Sequence, residues 1–228
     1  MMIKTTLLKR NLKKYNWGKL GLELLVVFLG VTSGFLLNNW REQQKEDQLE
    51  QKYISGFLSD VNENIEQLEE LNALDSLWLK HARENVLAIQ NNTLNRDSAE
   101  AMMKKIVVIN KMEPHEVTYE DIKNSGNLNL IQNFKLKSKI VDYQITLKGV
   151  RFLDDYFYEY FNDFVMPFVF SEFNVLTGHF KNDDSFKTIQ FSNVFVGYYS
   201  MVQQRNFVYK DLLSESKEFK TILLDSKK

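Results

Sequence analysis

The sequence contains no cysteine, so no disulfide holds its core and no thiol takes part in its chemistry. A location outside the cytoplasm is compatible with this and not demanded by it. Turn-formers are scarce too: nine glycines and two prolines in 228 residues. Four of those glycines fall between Gly18 and Gly34, which leaves five, with both prolines, for everything else. So little turn chemistry argues against a sheet-rich fold and for a few long helices. Neither sign of charge dominates: 29 basic residues against 30 acidic ones give a net charge of −1, which makes no case for nucleic acid as a partner. Histidine is confined to His81, His115 and His179, on three separate segments. His81 and Glu84 fall three apart on a predicted helix, the spacing of a metal pair. A di-iron bundle, however, needs two Glu-x-x-His motifs, and none occurs in that order. A phosphate-cradling glycine loop and a nucleophile elbow are absent as well. No catalytic residue, metal or cofactor is predicted, and the chain is not expected to be an enzyme.

What is present is one long apolar run, Leu20 to Leu37, whose single charge is Glu23. As a helix its eighteen residues measure roughly 27 Å, about the thickness of a bilayer's hydrocarbon core. Trp17 and Trp40 bracket the run roughly 34 Å apart, each placed for a headgroup boundary. Ahead of it stand Lys4, Lys9, Arg10, Lys13, Lys14 and Lys19, with no acid among them. Positive flanks stay in the cytoplasm, so the N-terminus is expected inside and the C-terminal part outside. The run is longer than a usual signal-peptide core, and Asn38-Asn39-Trp40 is a poor processing site, so an uncleaved signal-anchor is expected. The basic tail then sets topology. Its apolar residues Ile3, Leu7, Leu8, Leu12 and Tyr15 would also let it rest on an anionic leaflet.

The expected organisation is a basic cytoplasmic tail (1–19), a transmembrane helix (20–40), a polar helical stalk (41–52) and an extracytoplasmic helical bundle (53–228). The fold class is all-α, with about four long helices in the bundle. Apolar residues at steps of three and four run from Ile54 through Leu58, Val61, Ile65, Leu68, Leu71, Leu74, Trp78, Ala82 and Val86 to Ile89, a helical period that also suits a coiled-coil seam. A loop follows at 91–95, and Asp97 or Ser98 can cap a helix reaching about Lys111. After Pro114, Thr118 to Asp121 reads as a helix start and Gly126 as its left-handed C-terminal cap. A long helix is predicted from Phe134 to about Phe173, interrupted by Pro167. A polar loop spans Gly178 to Asp184, and a last helix covers Phe186 to about Leu224.

Two stretches carry a family resemblance. Gly21-Leu22-Glu23, Val26-Val27, Gly30 and the exit Leu37-Asn38-Asn39-Trp40 form the first, with Arg41 where the family pattern usually has Asn and Glu42 fitting it. The second runs Thr118-Tyr119-Glu120-Asp121-Ile122, then Ser125-Gly126-Asn127-Leu128. Together they resemble an uncharacterised family of small bacterial membrane proteins, a domain-of-unknown-function family. The resemblance lies within the first 130 residues or so. It implies a single-span protein of the bacterial inner membrane, N-terminus cytoplasmic, with a helical domain in the periplasm. It implies no activity, substrate or cofactor.

Two features point to partners. Gly30 and Gly34 form a small-xxx-small pair that lets helix backbones approach closely. Glu23, seven residues before Gly30, projects about 20° away and shares that face. Membrane lipid, and another membrane protein or a second copy meeting Glu23, Gly30 and Gly34, are the expected partners; alternatively, Glu23 pairs with Lys19 one turn earlier. In addition, ten aromatics lie between Phe152 and Phe173. One face of that helix fills a core; the other is covered by a neighbouring helix, by a partner protein or subunit, or by a small ligand or lipid surface, with Phe157, Tyr158, Phe161, Phe164 and Phe168 as the possible contact surface. Asp154, Asp155, Glu159 and Asp163 read as its solvated side and exclude a second span. The function expected is a membrane-anchored, non-enzymatic accessory subunit of an envelope assembly; the alternative is an extracytoplasmic ligand-binding or sensory bundle.

Overall fold

A computed structural model describes residues 16–227, and the basic tail before Asn16 lies outside them. The fold is all-α, with α1 (Trp17–Gln90), α2 (Arg96–Ile106), α3 (Val117–Asn124), α4 (Phe134–Tyr160), α5 (Met166–Glu172) and α6 (Ile189–Ser226). The long members are α1, α4 and α6; α2 and α3 have only 11 and 8 residues. Two compact units divide between Gln48 and Leu49.

The first unit carries the apolar part of α1. Its most apolar 18-residue window has a mean hydropathy of 2.1 and none of it is buried, so by length and composition this is the one described helix able to cross a membrane. The second unit begins at Leu49, earlier than residue 53. Glu50 belongs to it: the side chain is buried and its Oε1 accepts from the Gln132 N–H at 2.8 Å.

Within the second unit, the period read from the sequence sets the buried face of α1. Ile54, Val61, Leu68 and Leu71 are buried, and Phe57 joins them. They pack with Leu136, Ile140, Tyr143, Leu147 and Val150 of α4 and with Leu212, Phe219 and Leu223 of α6. A second apolar cluster lies further along α1. It gathers Ala82 with Met102, Met103 and Ile106 of α2 and with Phe157, Phe168, Phe191 and Phe195. Its aromatic rings interlock, Trp78 edge-on to Tyr198 at 5.2 Å and Phe191 stacked on Phe195 at 6.3 Å, arrangements that add to plain area burial. Between α4 and α6, the Tyr160 hydroxyl donates to the carbonyls of Asn193 and Val194. Its ring occupies the space a side chain at Gly197 would need, which is why that position on α6 is glycine.

Several boundaries differ from the sequence reading, each for a local reason. Asn95, not Asp97 or Ser98, caps α2, its Oδ1 accepting from the Ser98 N–H at 2.8 Å. That helix stops at Ile106, short of Lys111, where the β-branched run Val107-Val108-Ile109 begins. At the start of α3, no side-chain cap bond comes from within; Asp60 of α1 instead accepts from the Thr118 N–H at 2.9 Å. Gly126 is left-handed as expected, at φ 72°. The long α-helix is interrupted just ahead of Pro167, as expected. The turn Phe161–Val165 widens to a π-helix, and Pro167 sits in the first turn of α5, where its missing N–H costs no bond. Part of the polar loop is a small antiparallel hairpin of β1 (Phe173–Asn174) and β2 (His179–Phe180). Finally, α6 starts at Ile189 with Thr188 as its cap, three residues later than Phe186.

Candidate functional site

Between the two apolar clusters lies a layer of buried polar groups. Asn72 and Asp75 come from α1, Asp154 from α4, Arg205 and Asn206 from α6. Arg205 holds Asp75 at two points, Nε to Oδ2 at 2.9 Å and Nη2 to Oδ1 at 2.5 Å. Its remaining Nη1 donates to the Asn110 carbonyl at 2.6 Å, and its Cζ lies 4.8 Å from the Phe157 ring centre. Burial alone would lower the guanidinium's pKa, but the bonds and charge of Asp75 outweigh it and raise the value. Asn206 continues the layer, donating to Ser76 Oγ at 3.2 Å and to the Asn72 carbonyl at 3.3 Å.

Beside that pair, the Tyr209 hydroxyl donates to both oxygens of Asp154, at 2.8 and 2.7 Å, and accepts from the Met112 N–H at 3.0 Å. Burial pushes the Asp154 carboxyl up to about 6; the Tyr209 bond and the Arg205 charge pull the other way and do not cancel it. Tyr209 itself is raised, by burial first and then by the neighbouring Asp154. Asp154 therefore is not on a solvated face, in contrast to the sequence reading. It borders a cleft of about 280 Å³ that Lys111, Glu113, Arg151 and Asp155 also line.

The segment 107–116 crosses this layer without regular structure, and side chains of its neighbours satisfy its backbone. Asn64 accepts from the His115 N–H at 2.8 Å and donates to the His115 carbonyl at 3.1 Å. One turn later, Gln67 does the same for Glu113, at 3.1 and 3.0 Å. Carboxamides carry a donor and an acceptor side by side, so each pairs with one residue's backbone as a neighbouring strand would.

A third polar cluster clips the hairpin to α2. Buried Glu100 receives Arg96 Nε at 2.8 Å and the Phe180 N–H at 3.1 Å, while His179 Nδ1 lies 2.8 Å from its other oxygen. Burial works to raise the Glu100 pKa, but these bonds prevail and hold it down at about 2. Arg96 also pairs with Asp183 and donates to the Phe180 carbonyl.

The residues singled out from the sequence are distributed differently. Glu23, Gly30 and Gly34 are all exposed on α1, with open space where a Cβ of either glycine would lie, and Trp17 and Trp40 are exposed too. Among the described residues no ion pair joins Glu23 to Lys19; the ion pairs among them lie in the second unit. Of the aromatic set, Phe157, Phe161 and Phe168 are buried in the second apolar cluster and cannot offer a contact surface. Tyr158 and Phe164 remain exposed, at 49% and 57%. His81 and Glu84 are exposed on α1, apart from the layer. The layer's own members carried a signal in the sequence. Asp154 sits in phase with Leu147, Val150 and Phe157, and Asp75 lies midway between Leu68 and Ala82, seven residues from each. A charge in the phase of a core stripe marks a buried partner elsewhere. The chain matches no protein-family profile, no curated protein and no solved structure.

Proposed function

We propose that this protein is a membrane-anchored, non-enzymatic accessory subunit of a cell-envelope assembly. In this reading the N-terminus is cytoplasmic, α1 crosses the bacterial inner membrane once, and the second unit stands in the periplasm. The observation that carries it is the run Leu20–Leu37: a helical stretch of mean hydropathy 2.1, wholly unburied, on the same helix that enters the folded unit. Water exposure of so much apolar surface is untenable, and a bilayer is the solvent it fits. The polar layer supports the non-enzymatic part. Arg205, Asp75, Tyr209 and Asp154 spend their hydrogen bonds on one another and on backbone, the pattern of groups that fix helix register. The resemblance of the anchor and of the Thr118–Leu128 block to a single-span family agrees with this reading.

Extraction of the membranes in mild detergent, followed by identification of what co-purifies in stoichiometric amount, tests it. A partner protein retained by the native chain and lost from Gly30→Leu or Gly34→Leu is expected. Recovery of the chain in the soluble fraction would overturn the anchor, and recovery alone from every mild detergent would overturn the subunit role.

A second reading, an extracytoplasmic ligand-binding bundle, is favoured by one cleft. About 340 Å³ of space opens between α1, α2 and α6, walled by Leu74, Trp78 and Tyr198 and rimmed by His81, Lys104 and Lys105. An apolar wall with a basic rim suits a small amphipathic acid. A small molecule that stays with the purified protein and is released by Trp78→Ala would favour this reading over the first.

A further inference from the structure

The face of α4 opposite the core carries its own apolar pattern. Phe134, Ser138 and Val141 recur eleven residues later as Ile145, Gly149 and Phe152, and Tyr156 begins a third repeat. An eleven-residue repeat corresponds to about 3.67 residues per turn, close to the helix's own 3.6, so the stripe stays on one side of a straight helix for roughly 33 Å. Each repeat is large, small, large. Most of it is unused inside the unit: Phe134, Ile145, Phe152 and Tyr156 are 82%, 63%, 75% and 51% exposed, only Val141 is half-buried, and nothing approaches within 4 Å of where a Gly149 side chain would be. The core residues Leu136, Ile140, Tyr143, Leu147 and Val150 take the opposite phase, so the outer stripe is not a by-product of burial.

We propose that two copies of the chain pair in parallel along this face of α4, Ile145 on Ile145 and Phe152 on Phe152, with Ser138 and Gly149 letting the backbones close. The stripe's own symmetry favours a second copy as occupant, because a parallel pair sets each large residue against its like and each small one against its like. The flanking charges fit. In a parallel pair the flank bearing Lys137 and Lys148 faces the partner's opposite flank, where Asp142 lies at a level between them. Lys148 has no ion-pair partner among the described residues, and Lys137 reaches only Asn129 Oδ1 at 3.5 Å. The parallel sense rests on the proposed anchor. Copies held by one membrane carry Leu49 at the same end, and tethering in two dimensions raises their effective concentration.

The absence of cysteine from the sequence makes the test clean. Full-length Phe134→Cys, Ile145→Cys and Phe152→Cys are oxidised in native membranes, with Lys210→Cys on the exposed side of α6 as the reference for random collision. A disulfide-linked dimer several-fold above the Lys210→Cys level is expected at all three positions, and adding Gly149→Glu should return Phe134→Cys to that level. Dimers no more abundant than in Lys210→Cys would overturn the pairing. Linking of Phe134→Cys only to a co-expressed Tyr156→Cys chain, and not to itself, would overturn its parallel sense. Alkaline extraction of the same membranes reports the anchor separately, so loss of the dimer with the chain still membrane-bound counts against the α4 seam alone.

Discussion

Arg205 and Asp75, 130 residues apart in the chain, meet as a two-point ion pair with both side chains almost wholly buried. Such a pair is close to neutral against a well-packed apolar replacement and very costly to break from one side. Arg205→Met alone should therefore cost about 3–5 kcal/mol, through the charge it strands on Asp75. Arg205→Met combined with Asp75→Leu should recover most of the loss. Thermal and denaturant unfolding of the purified full chain, followed by circular dichroism, measures both; equal losses in single and double variants would assign the layer's contribution to something other than this pair.

Asp154 makes stability depend on pH in a direction opposite to that of most carboxylates. Its folded pKa of about 6 stands above its ordinary 3.8, so the folded state holds the proton more tightly. The contribution is fully present below 3.8 and is lost as pH rises through about 6. Between pH 7 and pH 5 it should add about 1 kcal/mol to the native chain. Asp154→Asn, neutral at every pH, should flatten that interval. Glu100 acts with the other sign and lower down: its depressed pKa contributes stability that is lost as pH falls from its ordinary 4.5 toward about 2. Unfolding midpoints for both chains across pH 5 to 7 decide the matter, and parallel curves would remove Asp154 from it.

The carboxamides under segment 107–116 should differ in weight. Asn64 is fully buried and strands two backbone groups of His115 when truncated, so Asn64→Ala should cost about 2–3 kcal/mol. Gln67 works at the exposed edge, and Gln67→Ala should cost less than about 1 kcal/mol. Amide hydrogen exchange at Glu113 and His115 reads the two separately: each truncation should release its own amide and leave the other protected.

The aromatic segment divides by burial rather than by sequence. Phe157→Ala and Phe168→Ala should each lose about 3–5 kcal/mol, because both rings are enclosed in the second apolar cluster. Phe164→Ser and Tyr158→Ser, at exposed positions, should stay within about 0.5 kcal/mol of the native chain. Unfolding free energies of the four variants settle this division.

These contrasts mark what was legible in the sequence. The all-α class, the apolar run and the buried face of α1 follow from periodicity, which depends on neighbours three and four residues away. Gly126 was legible because a single residue type answers a left-handed cap. The burial of Asp154 was legible only as a charge in the phase of a core stripe; its partners, Tyr209 and Arg205, lie more than fifty residues on, and no local period names them. The path of 107–116 was hidden for a related reason: its hydrogen bonds go to Asn64, Gln67, Arg205 and Tyr209, side chains that look like ordinary surface residues when read singly. Pro167 signals a break by rule, and the π turn that accommodates it has no sequence signature of its own.

The orientation of the anchor is the point on which the proposed role turns, and reporter fusions at the C-terminal end measure it most directly. A phosphatase that folds only outside the cytoplasm, fused after Lys228, should be active, while a reporter that matures only in the cytoplasm should be silent at the same position. The reverse pattern, with the cytoplasmic reporter bright and the phosphatase inactive, would contradict an exported domain and with it the envelope role.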